Sequence, residues 1–267
     1  MRFRFLPALL AVVLVFPTVA AELPAPVLRA HAHNDYEHKR PLVDALEHGF
    51  CSVEADIWLV GGKLLVAHNE RDVSPAKTLQ SLYLDPLRER IRTHGGKVFG
   101  TEPGFTLLID VKSDASATYA ALRSVLLEYR DILTSFRDGK IFTNAVTVII
   151  TGNRAMEAIS QDSDRMGAID GRPADLDGTT SGGTIAWISE NWNTVFKWRG
   201  QGTLPEAEKV KLRQMTDRAH AQGRRVRFWN TPDKPAFWRE LLAGGVDILN
   251  ADDLAGLETF LRSEKAP

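Results

Sequence analysis

Two carboxylates alternate with apolar residues in the segment 52–57. Because successive side chains of a β-strand point to opposite faces, Glu54 and Asp56 share one face and the apolar residues share the other. Two carboxylates on a buried face repel each other unless a proton or a cation lies between them. Since divalent cations prefer oxygen ligands, the pair predicts a metal site. A solvated pair on an edge strand is the alternative interpretation.

A third carboxylate lies in the segment 106–112, where the same alternation places Asp110 and Lys112 on one face. Asp110 is predicted to be a further metal ligand. The ammonium group of Lys112 is predicted to bind a phosphate oxygen as a point charge. The alternative is a buried ion pair between Asp110 and Lys112 that has only a structural role.

Two histidines, His31 and His68, lie at the ends of predicted strands. Histidine changes its charge near neutral pH, so one ring can act as a base while another acts as an acid. Cleavage of a phosphodiester needs both, because the attacking oxygen loses a proton and the leaving alcohol gains one. A metal ion and Lys112 would stabilise the charge on the phosphoryl oxygens. A purely structural role for each histidine is the alternative.

Strand and helix patterns alternate along the chain, whose 267 residues and 44% apolar content suit one large domain. Eight strands are predicted at 27–34, 52–60, 106–113, 145–153, 166–170, 184–189, 225–230 and 246–250, and the second continues past a glycine turn to 63–68. Helices are predicted at 41–48, 82–93, 119–133, 203–223, 237–243 and 254–262. This order predicts a single-domain α/β protein, a (β/α)₈ TIM barrel, with its catalytic residues at the carboxyl ends of the strands. An open doubly wound sheet would carry a glycine-rich turn after its first strand, and residues 31–34 contain no glycine.

The first 21 residues have the order of a secretory signal. Arg2 and Arg4 precede an apolar run at 5–16, and small residues follow at 19–21. We therefore expect a signal peptide at 1–21, a catalytic domain at 22–267, and export to the periplasm or the medium. An uncleaved membrane anchor is the alternative interpretation.

The remaining chain is net acidic, because two of the 33 Lys and Arg residues and none of the 34 acidic residues lie before residue 22. No basic block remains, which argues against a nucleic-acid partner. Cys51 is the only cysteine, so the chain forms no internal disulfide, and we expect this side chain to be buried.

The combined motifs resemble the glycerophosphodiester phosphodiesterase and phosphatidylinositol phospholipase C-like superfamily. They are His31-x-x-Asn34, Glu54-x-Asp56, His68, the third-strand motif at 108–112 and the closing-strand motif at 245–252. The resemblance implies that His31 and His68 are the acid–base pair. It also implies one divalent metal ion, Mg²⁺ with Ca²⁺ as the alternative, on Glu54, Asp56 and Asp110. The residues expected to contact the substrate are Asn34, Lys112, Trp229 and Asn250, with barrel packing as the alternative for both Trp229 and Asn250.

Two departures from the usual glycerophosphodiesterase pattern bear on the substrate. That pattern has His-Arg-Gly on the first strand and a later Glu-Asn-Thr whose Glu binds metal, whereas this chain has His31-Ala32-His33 and no such Glu. Three carboxylates and His-x-x-Asn resemble the sphingomyelinase D branch instead. The expected substrate is a glycerophosphodiester or a (lyso)phospholipid, cleaved through internal attack that gives a cyclic phosphate. The segment 192–199 mixes aromatic and cationic residues, which favours ordinary packing between a loop and a helix, with transient contact with a membrane surface as the alternative.

Two other classes of protein stay open at this point. A metal-dependent amidohydrolase also has His-x-His on its first strand, as at His31 and His33. That class draws further histidine ligands from its fifth and sixth strands, and this chain has none between His94 and His220. A non-catalytic barrel that binds a ligand or partner is the other class, and it would show no metal dependence.

Overall fold

The computed structural model describes residues 23–178, 180 and 183–264, so the predicted signal segment 1–21 lies outside the described residues. The strands are β1 (Val27–Ala32), β2 (Phe50–Val60), β3 (Lys63–Val66), β4 (Phe105–Val111), β5 (Ser135–Arg137), β6 (Lys140–Phe142), β7 (Val146–Gly152), β8 (Asp164–Arg165), β9 (Gly167–Gly171), β10 (Ile185–Asn191), β11 (Arg225–Trp229) and β12 (Ile248–Ala251). The α-helices are α1 (Val43–Glu47), α2 (Asp85–Thr93), α3 (Ala115–Glu128), α4 (Met156–Gln161), α5 (Trp192–Val195), α6 (Glu206–Ala221), α7 (Pro235–Ala243) and α8 (Leu254–Ser263).

Eight of these strands form a closed parallel barrel in the order β1-β2-β4-β7-β9-β10-β11-β12. The barrel closes because β1 pairs with both β2 and β12. The predicted TIM barrel is thus confirmed, and each of its eight strands overlaps a predicted strand. The continuation of the second strand is β3, which turns back antiparallel to β2 and stays outside the barrel.

A small antiparallel sheet of β6, β5 and β8 was not predicted from the sequence. It lies beside the start of β7, because Leu133, just before β5, forms a bridge with Val146. Within the described part of the chain, no helix combines the length and the apolar character needed to cross a membrane.

Apolar side chains pack on both sides of the barrel wall, and β4 supplies residues to the inner and to the outer layer. Leu107 and Ile109 are buried against the outer helices, whereas Leu108 points into the barrel. The interior cluster consists of Leu108, Phe136, Ile149, Ala168, Trp187 and Ile248. This cluster fills the lower part of the barrel, so the polar inward residues lie together above it, at the carboxyl ends of the strands.

The aromatic side chains of the segment 192–199 are buried, whereas its cationic residues Lys197 and Arg199 are exposed. Trp192 stacks on Phe196 at 4.1 Å between ring centroids, and Trp198 stacks on Phe237 of α7 at 4.6 Å. Burial of all three aromatic side chains in this segment explains its composition as packing between loop and helix.

Candidate metal and active site

The three predicted carboxylate ligands converge at the top of the barrel interior. Asp56 of β2 is the direct register partner of Asp110 on β4, while Glu54 lies one inward position lower, beside Leu108. One carboxylate oxygen from each of Glu54, Asp56 and Asp110 lies within 4.8 Å of the other two. Strand alternation and barrel closure therefore bring together the residues that the sequence marked as a metal site.

Asp56 is fully buried, and its two oxygens differ in their surroundings. Its Oδ2 accepts hydrogen bonds from the Tyr36 hydroxyl at 2.7 Å and lies 3.0 Å from the ammonium nitrogen of Lys112. Its Oδ1 is buried and has no hydrogen-bond partner among the described residues. Burial, and then the negative charges of Glu54 and Asp110, raise the pKa of Asp56 to about 6.

Asp110 repeats this arrangement from the neighbouring strand. Its Oδ2 accepts a hydrogen bond from Lys112 at 2.7 Å, while its Oδ1 is buried without a partner in the described structure. Burial raises the pKa of Asp110 although Lys112 opposes the shift. Gly152, at a φ of +71°, makes room for this oxygen, because an added Cβ would lie 1.9 Å from it. Two buried, unpartnered carboxylate oxygens are a donor set that fits a divalent cation.

Glu54 is held by Arg227, which projects inward from β11. The guanidinium Nη2 lies 2.5 Å from Glu54 Oε2, and Nε donates to Asn250 Oδ1 at 2.9 Å. Burial opposes ionisation, but Arg227 and then His31 hold the pKa of Glu54 well below its usual range. Glu54 is therefore ionised. Without a metal ion, the positive charge of Arg227 balances the negative charge of Glu54. Arg227 was not singled out in the sequence analysis.

The two predicted histidines bind different members of the carboxylate trio. His31 Nε2 lies 3.3 Å from Glu54 Oε2, and its Nδ1 lies 2.7 Å from Ser52 Oγ. Burial, and then the charge of Arg227, lower the pKa of His31 to about 4, so the ring is neutral at neutral pH. His68 Nδ1 lies 3.2 Å from Asp56 Oδ2, with half of its side chain exposed.

A cleft of about 370 Å³ opens above the trio. Its walls include His68, three of the four predicted substrate residues (Asn34, Lys112 and Trp229), and also His33 and Arg172. Asn250 and His31 do not line it, and both side chains are buried. Asn250 instead orients Arg227, while Trp229 is 37% exposed and forms part of the cleft wall.

Tyr36 is a site residue that sequence reasoning missed. Its hydroxyl lies 2.7 Å from Asp56 Oδ2, 2.8 Å from Asn34 Oδ1 and 3.1 Å from His68 Nδ1. Asn34 adopts a left-handed conformation, with φ of 46°, just before the short 3-10 helix Asp35–Glu37 that carries Tyr36. This turn lies outside the strands, so strand alternation gave no signal for Tyr36.

The barrel and its buried carboxylate trio place the chain in the class of glycerophosphodiesterase-like phosphodiesterase barrels. A family model described as AIM6-like phosphodiesterase domain matches residues 23–167. A second model, the glycerophosphoryl diester phosphodiesterase family, matches residues 225–255. The chain belongs to the AIM6-like phosphodiesterase family, which confirms the resemblance drawn from the motifs.

Similar proteins extend over most of the chain. The Altered inheritance of mitochondria protein 6 homolog of Arthroderma benhamiae is 32% identical over 87% of this chain and 82% of its own length. Altered inheritance of mitochondria protein 6 of Lachancea thermotolerans is 31% identical over 85% of this chain and 64% of its own length. A crystal structure of a glycerophosphodiester phosphodiesterase from Parabacteroides distasonis superposes with a TM-score of 0.54, covering 90% of this chain and 99% of that one. Its identity is 16%, so this likeness concerns the fold alone.

The prediction of export is wrong. The relatives are named for the inheritance of mitochondria, and that name points to a mitochondrial or intracellular protein rather than an exported one. The arginines and apolar run at the start of the chain follow the order of a secretory signal, but such a pattern is only an indirect sign of destination.

Proposed function

We propose that the protein is a metal-dependent phosphodiesterase that cleaves a glycerophosphodiester or a (lyso)phospholipid in the cleft at the carboxyl end of the barrel. The observation that carries this proposal is the buried trio Glu54, Asp56 and Asp110 between two histidines. Two of its oxygens have no partner among the described residues, and buried carboxylates without a cation or proton are costly. The family and the fold, both those of phosphodiesterases, support the same chemistry.

Glu54, Asp56 and Asp110 would hold one divalent ion, Mg²⁺ in the first place and Ca²⁺ as the alternative. When bound, the ion would neutralise charge on the phosphoryl oxygens of the substrate. Lys112 touches both Asp56 and Asp110 and also lines the cleft, so its ammonium group can bind a phosphoryl oxygen beside them. Asn34 and Trp229 would orient the rest of the substrate, since both lie in the cleft wall.

His31 and His68 would divide the proton transfers between them. His31 is neutral at neutral pH, which is the form that a general base requires. It lies behind Glu54, which lines the cleft, so the attacking hydroxyl would have to reach past Glu54 to the His31 Nε2. His68 faces the cleft, where it can deliver a proton to the leaving alcohol oxygen. Tyr36 would position His68, because its hydroxyl contacts both His68 and Asp56. Attack by a hydroxyl of the substrate itself would give a cyclic phosphate, and attack by water would give the open monoester.

Purified protein should be assayed on soluble glycerophosphodiesters and on lysophospholipids, each with chelator, with Mg²⁺ and with Ca²⁺. We expect turnover that stops with chelator and returns with one of the ions. Phosphorus NMR of the product distinguishes a cyclic phosphate from a monoester. His31→Ala and His68→Ala should each lower kcat by about 10²–10⁴-fold, the usual contribution of a general acid or base.

The matched control is His48→Ala, which removes a histidine that pairs with Glu258 outside the cleft. It should keep wild-type turnover. Full activity of folded His31→Ala and His68→Ala proteins would overturn the acid–base assignment. Ligand binding without turnover of any phosphodiester would favour the non-catalytic barrel.

A further inference from the structure

A second cleft, of about 660 Å³, adjoins the catalytic cleft on the side of β7. The two share Lys112, Gly152 and Asn153 in their walls, so a molecule bound over the carboxylate trio can extend past Gly152 into the second space. The loop after β7 supplies the one arginine that lines this side cleft, Arg154.

The guanidinium group of Arg154 is largely buried but poorly paired. Its side chain is 16% exposed, and its Nε is buried with no hydrogen-bond partner among the residues that the structure describes. Its Nη2 lies 3.9 Å from Asp175 Oδ2, at the outer limit of an ion pair. That Asp175 oxygen already accepts the backbone N–H of Arg172 at 2.7 Å. A guanidinium carries five N–H donors, so one left in this state is ready to bind an anion.

A second guanidinium, that of Arg172, is fixed at the end of β9 and lines the catalytic cleft. Its Nη1 donates to Asp170 Oδ2 at 3.1 Å and to the Gly171 carbonyl at 2.9 Å, and its Nη2 donates to Thr151 Oγ1 at 3.3 Å. Burial, and then the positive charge of Arg172, lower the pKa of Arg154. The Arg172 backbone N–H and the Arg154 Nη2 both approach Asp175 Oδ2, at 2.7 Å and 3.9 Å, so the two residues are neighbours. An anion bound by both side chains would offset the repulsion between their charges.

We propose that Arg154 and Arg172 bind a second anionic group of the substrate, a carboxylate or a phosphate monoester, beside the phosphodiester that is cleaved. This assignment rests on the proposed phosphodiesterase function and narrows its substrate to phosphodiesters whose head group carries a further negative charge. Two arginines suit this task because their planar N–H groups pair with two oxygens at once. Asp114, the acid that lines the side cleft, forms no ion pair with Arg154 among the described residues, and its Oδ1 caps α3 by accepting the Ala117 N–H at 2.9 Å.

Two matched pairs of ligands isolate the extra charge. Glycerophosphoserine differs from glycerophosphoethanolamine by a carboxylate, and glycerophosphoinositol 4-phosphate differs from glycerophosphoinositol by a phosphate monoester. Binding is measured by calorimetry in the presence of Mg²⁺ with His31→Ala protein, so that no turnover is needed. We expect the more anionic member of at least one pair to bind about tenfold more tightly or better, as a charge-assisted hydrogen bond provides. A preference within the serine–ethanolamine pair would indicate a carboxylate site, and a preference within the inositol pair would indicate a phosphate site.

Adding Arg154→Gln should abolish this preference and leave the affinity for the less charged member within about twofold, since only a charged head group would reach this side chain. The control is Arg137→Gln, which removes a cation from β5, outside both clefts, and should keep the preference. Equal binding within both pairs, no binding of any of the four ligands, or a preference that survives Arg154→Gln would overturn the proposal. Turnover by the wild-type protein is assayed in parallel. Charge-dependent binding without any turnover would refute the phosphodiesterase function and keep the anion site.

Discussion

Asp35 is a buried carboxyl group that should make the stability of this protein depend on pH. Its Oδ2 accepts hydrogen bonds from the Leu42 N–H at 2.6 Å and the Tyr83 hydroxyl at 2.9 Å. Its Oδ1 has no partner within the described residues. Burial raises the pKa of Asp35 from 3.8 to about 7, although the two hydrogen bonds oppose the shift.

The sign of the effect follows from proton binding. Because the folded state holds this proton more tightly than the unfolded state, the free energy of unfolding falls as pH rises from about 4 to about 7. The difference between a pKa of 3.8 in the unfolded chain and about 7 in the folded chain contributes about 4 kcal/mol to the free energy of unfolding at low pH. About 3 kcal/mol of this contribution is lost between pH 5 and pH 8.5. Asp35→Asn keeps an oxygen for both hydrogen bonds and cannot ionise. We therefore expect the variant to gain about 3 kcal/mol relative to wild type across this interval.

The measurement is urea unfolding of both proteins at a series of pH values, with chelator present throughout. Every other group titrates in both proteins, so the difference between the two curves isolates Asp35. Tyr83→Phe is a useful comparison, because it removes one hydrogen bond to the carboxyl group and leaves the group itself in place. Parallel curves for wild type and Asp35→Asn would refute the reasoning, since they would mean that Asp35 titrates alike in the folded and unfolded chains.

Three further predictions concern the metal site and its supports. Mg²⁺ at about 100 times its Kd should stabilise the protein by about 2.7 kcal/mol and raise Tm by roughly 5–10 °C in calorimetry. Asp110→Asn should abolish most of that rise, and an unchanged Tm in wild type would contradict the metal site. Gly152→Ala should weaken Mg²⁺ binding about tenfold and destabilise the fold by about 2 kcal/mol, because its Cβ would strike Asp110 at a strained φ. Gly139→Ala is the control, because Gly139 has a φ of +74° and no described atom lies within 4 Å of the added Cβ. Equal losses of stability and of Mg²⁺ affinity in the two variants would argue against a special role of Gly152. Tyr36→Phe should lower kcat about tenfold, because it removes the hydroxyl that contacts His68. The Mg²⁺ affinity should change as well, but less, because the same hydroxyl donates to Asp56 Oδ2. A normal kcat would remove Tyr36 from the positioning network.

Strand periodicity predicted the barrel and the convergence of Glu54, Asp56 and Asp110 inside it, and the reason is local. Glu54, Asp56 and Asp110 lie inside long strands, where alternation alone fixes which face a side chain occupies. Barrel closure then places those inward faces together. The strands β5, β6 and β8 were missed because they have three, three and two residues, too few for a period to be visible.

The partners of the site residues were harder to predict, because they depend on contacts across the barrel. Arg227 is 173 positions from Glu54 in the chain, and only the closed barrel brings them together. Asn250 was expected in the cleft, but its side chain is buried and accepts a hydrogen bond from Arg227, which lines the cleft in its place. The roles of His31, His68 and the substrate residues stay predictions until variants are assayed.

The interior cluster that includes Leu108, Ile149 and Trp187 closes the lower end of the barrel, so the barrel interior is open only at the carboxyl ends of the strands. Its floor is closed, and His31 rests edge-on against Trp187 at 6.0 Å between ring centroids. A metal ion at the carboxylate trio, a substrate and its product would then all pass through the same opening. We expect a bound ligand to delay escape of the ion, so that chelators should inactivate the liganded protein more slowly than the free protein.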